Sequence, residues 1–432
     1  MAQNQSSRYV LSITIIGILF FIFGFVTWLN GTLIPFLKLA CDLHSDAQAL
    51  LVTFAFYIAY FFLAIPSSFI LGKTGYKRGM SLGLLIMAGG ALMFIPAAMA
   101  RNFWLFLGAL FILGMGLALL QTASNPYITI IGPIESAAKR ISIMGICNKV
   151  AGALSPVILS SIVLKGASEI EAQIASADPL MRADLLQQLS HRVIAPYAAM
   201  AVVLMLLALM IRLSPLPEID ADGDAASDAA GVAKTSILQF PHLLLGVICI
   251  FVYVGVEVMA GDVIGIYGKA LGLSLDVTKN LTAYTLWSMV VGYIIGVATI
   301  PKYIKQETAL KLSAVIGLIF TLLAFITHGY VSILFVALLG LANSLMWPAI
   351  FPMAIRGLGR FTKIGAALLI MGIAGGAIVP QVYARLKDVM SPSSAFFWSM
   401  LPCYLYILYY AMRGHLVGQR EVSRLATSVA AD

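Results

Sequence analysis

The stretch Phe251-Val-Tyr-Val-Gly-Val-Glu-Val-Met-Ala-Gly-Asp262 places two carboxylates in apolar sequence. It belongs to a run over 238–268 that is longer than the roughly 20 residues needed to cross the hydrocarbon core of a bilayer. An ionised carboxylate in lipid is costly, so such groups normally face a cavity or another part of the protein. We therefore predict a membrane helix in which Glu257 and Asp262 serve a function.

The composition extends this prediction to the whole chain. Of 432 residues, 61% are hydrophobic and only 11% are charged, whereas about 25% of residues are charged in soluble proteins. The apolar runs are too long for the short, alternating strands of a membrane β-barrel. The sequence therefore predicts an all-α membrane protein that crosses the bilayer many times and is surrounded by lipid.

The apolar runs form about twelve segments of spanning length, half of them on each side of a polar stretch. The predicted spans are 10–36, 47–71, 80–99, 103–131, 141–164, 194–213, 238–268, 278–300, 308–327, 331–355, 364–386 and 394–413. The polar residues 214–236 hold several aspartates among small residues and predict a flexible cytoplasmic linker. We expect one six-helix bundle over 1–213 and a second over 237–432.

The loops between the spans indicate the orientation. With both termini in the cytoplasm, loops such as 72–79 and 301–311 place more Lys and Arg inside than outside, which is the usual bias. The same bias accounts for the net charge of +8 without a nucleic-acid partner. The long loop 165–193 would then lie outside the cell, with a short helix around Asp184–Leu189.

Two six-helix halves joined by a cytoplasmic linker resemble the layout of the major facilitator superfamily. Four segments resemble, more specifically, the fucose:proton symporter family. They are Leu29-Asn-Gly-Thr-Leu-Ile-Pro-Phe36, Gln121-Thr-Ala-Ser-Asn-Pro-Tyr127 with Gly132-Pro133 and Arg140, Trp347-Pro-Ala-Ile-Phe351 with Arg356-Gly-Leu-Gly359, and Gly375-Gly-Ala-Ile-Val-Pro380. The resemblance implies sugar uptake across a bacterial inner membrane, with the sugar held between two halves that rock around it.

Two departures from the fucose carriers concern the coupling ion. Those carriers have acids, associated with proton coupling, where this chain has Gly31 and Gln121. In this respect the chain resembles the glucose, galactose, mannose and N-acetylglucosamine branch of the family, some members of which are sodium-coupled. Glu257 stands where the fucose carriers have an amide. We therefore expect Na⁺ to be the coupling ion, with a proton carried by Glu257 or Asp262 as the alternative.

The predicted sugar site combines amides, one acid and aromatic rings. Amides donate and accept hydrogen bonds, as a neutral polyol requires, and aromatic rings offer apolar faces to sugar C–H groups. Trp28 and Tyr253 are further aromatic candidates in the middle of spans. The resemblance also matches Gln121 and Asn148 to sugar-site positions. The predicted substrate-binding residues are Asn30, Gln121, Asn125, Asn148, Glu257, Trp287 and Trp347.

The predicted coupling residues are Glu257, Asp262 and Lys149, and the two acids are also the predicted Na⁺ ligands. Glu257 and Asp262 point about 140° apart on a straight helix, so they share a cavity only if the helix bends. Gly261 and Gly265 would permit such a bend. Lys149 falls inside the fifth span, where it either extends to the membrane surface or pairs with one of these acids across the halves.

The sequence therefore predicts a monosaccharide importer, for a glucose-type hexose or N-acetylglucosamine, that works as a monomer without a cofactor. A multidrug exporter of the same fold is an alternative, but it would need a larger and less polar pocket. An integral-membrane enzyme is a further alternative. No Ser/His/Asp or metal-ligand spacing is visible in the sequence, so we do not expect an enzyme.

Overall fold

The computed structural model describes residues 2–130, 137–216, 235–300 and 302–418. Most of the predicted linker 214–236, together with Gly132-Pro133 of the second motif, lies outside these residues. The described part contains 12 helices that are long and apolar enough to cross a membrane, six before the linker and six after it. Their positions follow the apolar runs of the sequence closely, since runs of this length form helices that satisfy their own backbone hydrogen bonds in lipid.

The described residues of the first half form ten α-helices, of which α8 is a short helix between membrane spans and α9 leads into the sixth span. Their bounds are α1 Ala2–Thr27, α2 Asn30–Ala40, α3 Asp46–Ala49, α4 Leu51–Thr74, α5 Tyr76–Met99, α6 Phe103–Ile130, α7 Ala137–Val163, α8 Ala167–Ser176, α9 Pro179–His191 and α10 Ile194–Leu213. The helix predicted around Asp184–Leu189 is part of α9. An Asp178 side chain caps its N-terminus by accepting the N–H groups of Leu180 and Met181.

The described part of the second half also contains ten α-helices, together with four short 3₁₀ turns. The helices are α11 Pro241–Gly261, α12 Ile264–Ala270, α13 Leu275–Thr278, α14 Leu281–Thr299, α15 Gln306–Ile326, α16 Gly329–Asn343, α17 Met346–Ile355, α18 Thr362–Met371, α19 Gly375–Lys387 and α20 Pro392–Met412. The 3₁₀ turns are Ile237–Gln239, Gly359–Phe361, Gly372–Ala374 and Gly414–Leu416.

Several spans predicted as continuous helices are interrupted. The first span divides into α1 and α2 at Trp28 and Leu29, and the seventh divides into α11 and α12 at Asp262 and Val263. The second break follows Gly261, in the place where the flanking glycines favour a bend. Irregular backbone at membrane depth occurs where it is buried in protein or lines a cavity. Both breaks therefore mark the interior of the bundle.

The two halves are joined at mid-depth and at one end of the bundle. Helices α1 and α11 both begin at the same end of the bundle, which we call the terminal end. We call the opposite end the far end. Helix α7 packs along α14, and α4 packs along α18 and α19. Among the described residues, the hydrogen bonds that join the halves lie at mid-depth or at the far end. They include those from Ser160 to Asn280, from Lys279 to the Leu164 carbonyl and from Gln381 to the Ala47 carbonyl.

Candidate functional site

A cavity lies between the two halves at the middle of the bundle. It encloses about 770 Å³ of space, its open mouth included. Both halves contribute to its wall. The lining residues are Phe20, Phe23, Thr27, Trp28, Tyr57, Tyr60, Gln121, Asn125, Ile141, Gly145, Asn148, Lys149, Tyr253, Val254, Glu257, Tyr293, Trp347, Pro348 and Ile373.

An ion pair crosses the cavity from one half to the other. The Lys149 ammonium on α7 donates to Oε1 of Glu257 on α11 at 2.9 Å. The Tyr253 hydroxyl donates to the same oxygen at 2.8 Å, and the ammonium lies 4.6 Å from the ring centroid of Trp28. The carboxylate therefore has two donors, and the ammonium has a carboxylate and an aromatic face.

This pairing explains how two charges are accommodated at membrane depth. Both side chains are mostly buried, and isolated charges at such a place would be costly. Of the two arrangements that the sequence allowed for Lys149, the structure shows the charge pair across the halves. Because one partner belongs to each half, any motion that separates α7 from α11 must break or rebuild the pair.

The three amides of the first half lie on one wall of the cavity. The Gln121 side-chain amide donates to the Tyr60 hydroxyl at 2.9 Å, and that of Asn125 donates to the backbone carbonyl of Gln121 at 2.9 Å. The Asn148 amide donates to the Phe20 carbonyl at 3.3 Å. These bonds fix the orientation of the amides and place hydrogen-bonding groups beside the ion pair.

Aromatic rings form the rest of the wall. Trp347 on α17 packs against Phe351 and faces Tyr253, with ring centroids 5.6 Å and 6.4 Å away. Tyr57 and Tyr60, stacked at 6.4 Å on α4, line the cavity but were missed by the sequence reasoning. Their three-residue spacing, which puts both on one helix face, was the available signal. The cavity thus combines flat apolar faces with a few polar groups.

Trp287 corrects one sequence prediction. It was expected to bind substrate, but it does not line the cavity, and its side chain is 45% exposed on the outside of α14. In a membrane this surface faces lipid. The prediction failed because an aromatic residue in the middle of a span carries no information about which side of the helix faces the protein.

Asn30 and Asp262 are also absent from the cavity wall, for a different reason. Both are only 1% exposed and lie near the two helix breaks. Nδ2 of Asn30 and Oδ1 of Asp262 are buried without a hydrogen-bond partner, while the Tyr57 hydroxyl donates to Oδ2 of Asp262 at 3.4 Å. Asp262 and Glu257 therefore have different surroundings, and a shared Na⁺ site would need both at one place. The described residues contain no cluster of three acidic, His or Cys side chains suited to a metal ion.

The cavity extends toward the terminal end. A smaller cavity continues from Asn125 and Trp347 to Phe351 and Pro352, near the end of α17. Toward the far end the passage is blocked, because the Trp28 ring lies against Gly152 and Gly261. A side chain on either glycine would overlap the ring, within 2.3 Å of it. The structure therefore shows a state that is closed at the far end.

Comparison with known proteins agrees with this architecture. The family model of the Major Facilitator Superfamily matches residues 16–380. The chain belongs to the major facilitator superfamily. A relative within the superfamily is the glucose/galactose transporter of Brucella abortus, 35% identical over 95% of this chain and 96% of that protein. The L-fucose-proton symporter of Escherichia coli is 29% identical over 89% of each chain.

A solved structure of a superfamily member gives the same fold. The E. coli fucose:proton symporter, solved in its outward conformation, superposes with a TM-score of 0.74 at 27% identity, covering 94% of this chain and 99% of that one. The predictions of a twelve-helix major facilitator fold and of likeness to the fucose symporter family are therefore confirmed.

Proposed function

We propose that this protein is a secondary active transporter that imports a neutral monosaccharide of the glucose or galactose type together with protons. The observation that carries the proposal is the cavity between the halves, in which three amides and an ion pair lie among aromatic rings. Sugar hydroxyls pair with amides and carboxylates, and sugar C–H faces pack on rings. The relative from Brucella abortus, named a glucose/galactose transporter, supports the choice of sugar.

Protons are preferred to Na⁺ as the coupling ion. The Glu257 carboxylate, expected to be a Na⁺ ligand, already binds the Lys149 ammonium. Among the relatives described above, the one named with its coupling ion is a proton symporter. The prediction of Na⁺ rested on the two positions where this chain has Gly31 and Gln121 in place of acids. The same feature is compatible with a proton that is carried by another residue.

The proposed transport cycle alternates between two conformations, which differ in the end of the bundle that is open. In the state described here the far end is closed and the cavity extends toward the terminal end, which we propose faces the cytoplasm of a bacterial cell. The opposite state would open at the far end to take up sugar and proton. Coupling arises because each ligand favours the same conversion between states, so each strengthens the binding of the other. We expect the protein to do this as a monomer.

Sugar binding in the cavity tests the proposal without requiring a gradient. We expect glucose to change the tryptophan fluorescence of the purified protein, because Trp28 and Trp347 line the cavity. Trp347→Phe should weaken glucose binding, whereas the matched control Trp287→Phe, on the lipid-facing surface, should leave the affinity unchanged. Titrations with glucose, galactose, fucose and a hydrophobic cation would measure this. Tight binding of the cation without binding of any sugar would favour a drug exporter.

A further inference from the structure

We infer that Asp262 is the group that carries the transported proton. This rests on the proposed proton-coupled function and names the residue responsible. Asp262 follows the last residue of α11, at the break in the seventh span. It is only 1% exposed, so its charge state depends on the few groups that the protein places around it.

The surroundings of Asp262 favour the neutral acid. In the part of the chain that the structure describes, it has no ion-pair partner, and its Oδ1 has no hydrogen bond. An ionised carboxylate buried without a partner is costly, and protonation removes that charge. The titratable groups that act on it are Tyr57 from α4, Glu257 from α11 and Lys149 from α7, and the backbone N–H of Gly31 acts on it as a hydrogen-bond donor.

Glu257 is the less suitable of the two acids. Its charge is compensated by Lys149, and its Oε1 accepts a second hydrogen bond from Tyr253. Binding a proton at Glu257 would break its existing ion pair with Lys149. Lys149 also acts on Asp262 as a cation, but it is already held by Glu257.

Tyr57 connects Asp262 to the cavity. Its hydroxyl donates to Oδ2 of Asp262 at 3.4 Å, and the same side chain lines the cavity. On release, the Tyr57 hydroxyl turns from Oδ2 toward water in the cavity. The carboxylic acid then gives its proton to the Tyr57 oxygen while the hydroxyl proton passes to that water, leaving a carboxylate, a neutral tyrosine and a hydronium ion. Because Tyr57 and Asp262 belong to opposite halves, opening the far end separates them and exposes the acid to the other side.

The variant Asp262→Asn separates coupling from sugar movement. It mimics the protonated acid, so we expect sugar exchange between equal concentrations across proteoliposome membranes to continue. Accumulation driven by a pH gradient should be lost. Wild-type exchange should decline as the pH rises, because the ionised acid opposes closure, whereas exchange by Asp262→Asn should be independent of pH. Asp184→Asn is the matched control, because Asp184 is an exposed acid on α9.

A spectroscopic measurement keeps the inference testable if the variant transports nothing. The infrared band of a protonated carboxylic acid should be present in the wild type, absent in Asp262→Asn and retained in Glu257→Gln. Tyr57→Phe should keep the band but slow proton release during sugar uptake. Proton-driven accumulation by Asp262→Asn, or an unchanged band in that variant, overturns the inference. Wild-type protein that moves no sugar under any gradient overturns the proposed function instead, and wild-type uptake driven by Na⁺ alone overturns the proton role of Asp262.

Discussion

At the scale of single residues, the contrast between Glu257 and Asp262 organises the site. The two acids are five positions apart, yet one is paired with a lysine and lines the cavity, while the other is buried beyond it with one oxygen unpartnered. The break after Gly261 creates this difference, because it ends α11 just before Asp262. Residue type alone predicted that both acids mattered, but the neighbours from the other half assign them different chemistry.

The Lys149–Glu257 ion pair leads to a prediction about the thermal stability of the protein. Lys149→Met leaves a buried carboxylate without its cation, and breaking such a pair costs about 3–5 kcal/mol. We expect a clear fall in the thermal unfolding midpoint of the detergent-solubilised protein. The double variant Lys149→Met with Glu257→Gln should recover most of the loss, because no unpaired charge remains.

An exposed ion pair provides the control for that experiment. One guanidinium nitrogen of Arg182 donates to both oxygens of Asp42, and both side chains are more than two-fifths exposed. Surface pairs of this kind contribute about 0–1 kcal/mol. Arg182→Met should therefore change the midpoint little. A double variant as unstable as the sum of its two single variants would show that Lys149 and Glu257 are not coupled.

At the scale of helices, close packing of α1 on α7 positions the cavity wall. Gly24 lies so near α7 that an added Cβ would fall 2.1 Å from the Asn148 carbonyl oxygen. The side chain of the same residue, Asn148, lines the cavity. Small residues at such crossings let two helix backbones approach closely, which is how membrane helices gain packing energy without a hydrophobic driving force.

Two glycine variants with different expected effects on thermal stability and glucose binding test this packing. Gly24→Ala should lower thermal stability and weaken glucose binding, because the new methyl group pushes α7 and Asn148 away. Gly89→Ala on α5 should keep binding and hold or raise stability, since nothing lies within 4 Å of its added Cβ and Ala in a helix is favoured over Gly by about 0.5–1 kcal/mol. Equal behaviour of the two variants in unfolding and binding assays would contradict the role given to Gly24.

The helices also show how far sequence reasoning reaches. The spans could be predicted, because apolar length is a local property. The break after Gly261 was not predicted, since the flanking glycines showed only that a bend was permitted there. Which side of each span faces the protein could not be predicted, because lipid-facing and protein-facing positions are both apolar in a membrane. Trp287 and Trp347 illustrate this, since both lie in the middle of spans but only Trp347 reaches the cavity. Tyr57 and Tyr60 were missed for the same reason.

At the scale of the whole molecule, ion pairs secure the far end. Asp46 binds both Lys38 from its own half and Lys387 from the other, and Lys269 binds Glu171 across the halves. With Trp28 closing the passage below them, these contacts define a closed far end above a cavity that extends toward the terminal end. Alternation between this state and its opposite would carry the sugar across the membrane, with the charge on Asp262 deciding when the far end can close.

Uptake of radiolabelled glucose into proteoliposomes tests this account most directly. A pH gradient that is acidic on the far-end side and a Na⁺ gradient would be imposed separately, with galactose, mannose, fucose and N-acetylglucosamine as competitors. We expect glucose to accumulate above its equilibrium level under the pH gradient alone, with galactose competing best. Accumulation driven by Na⁺ alone, or no uptake of any of these sugars under either gradient, would contradict the account.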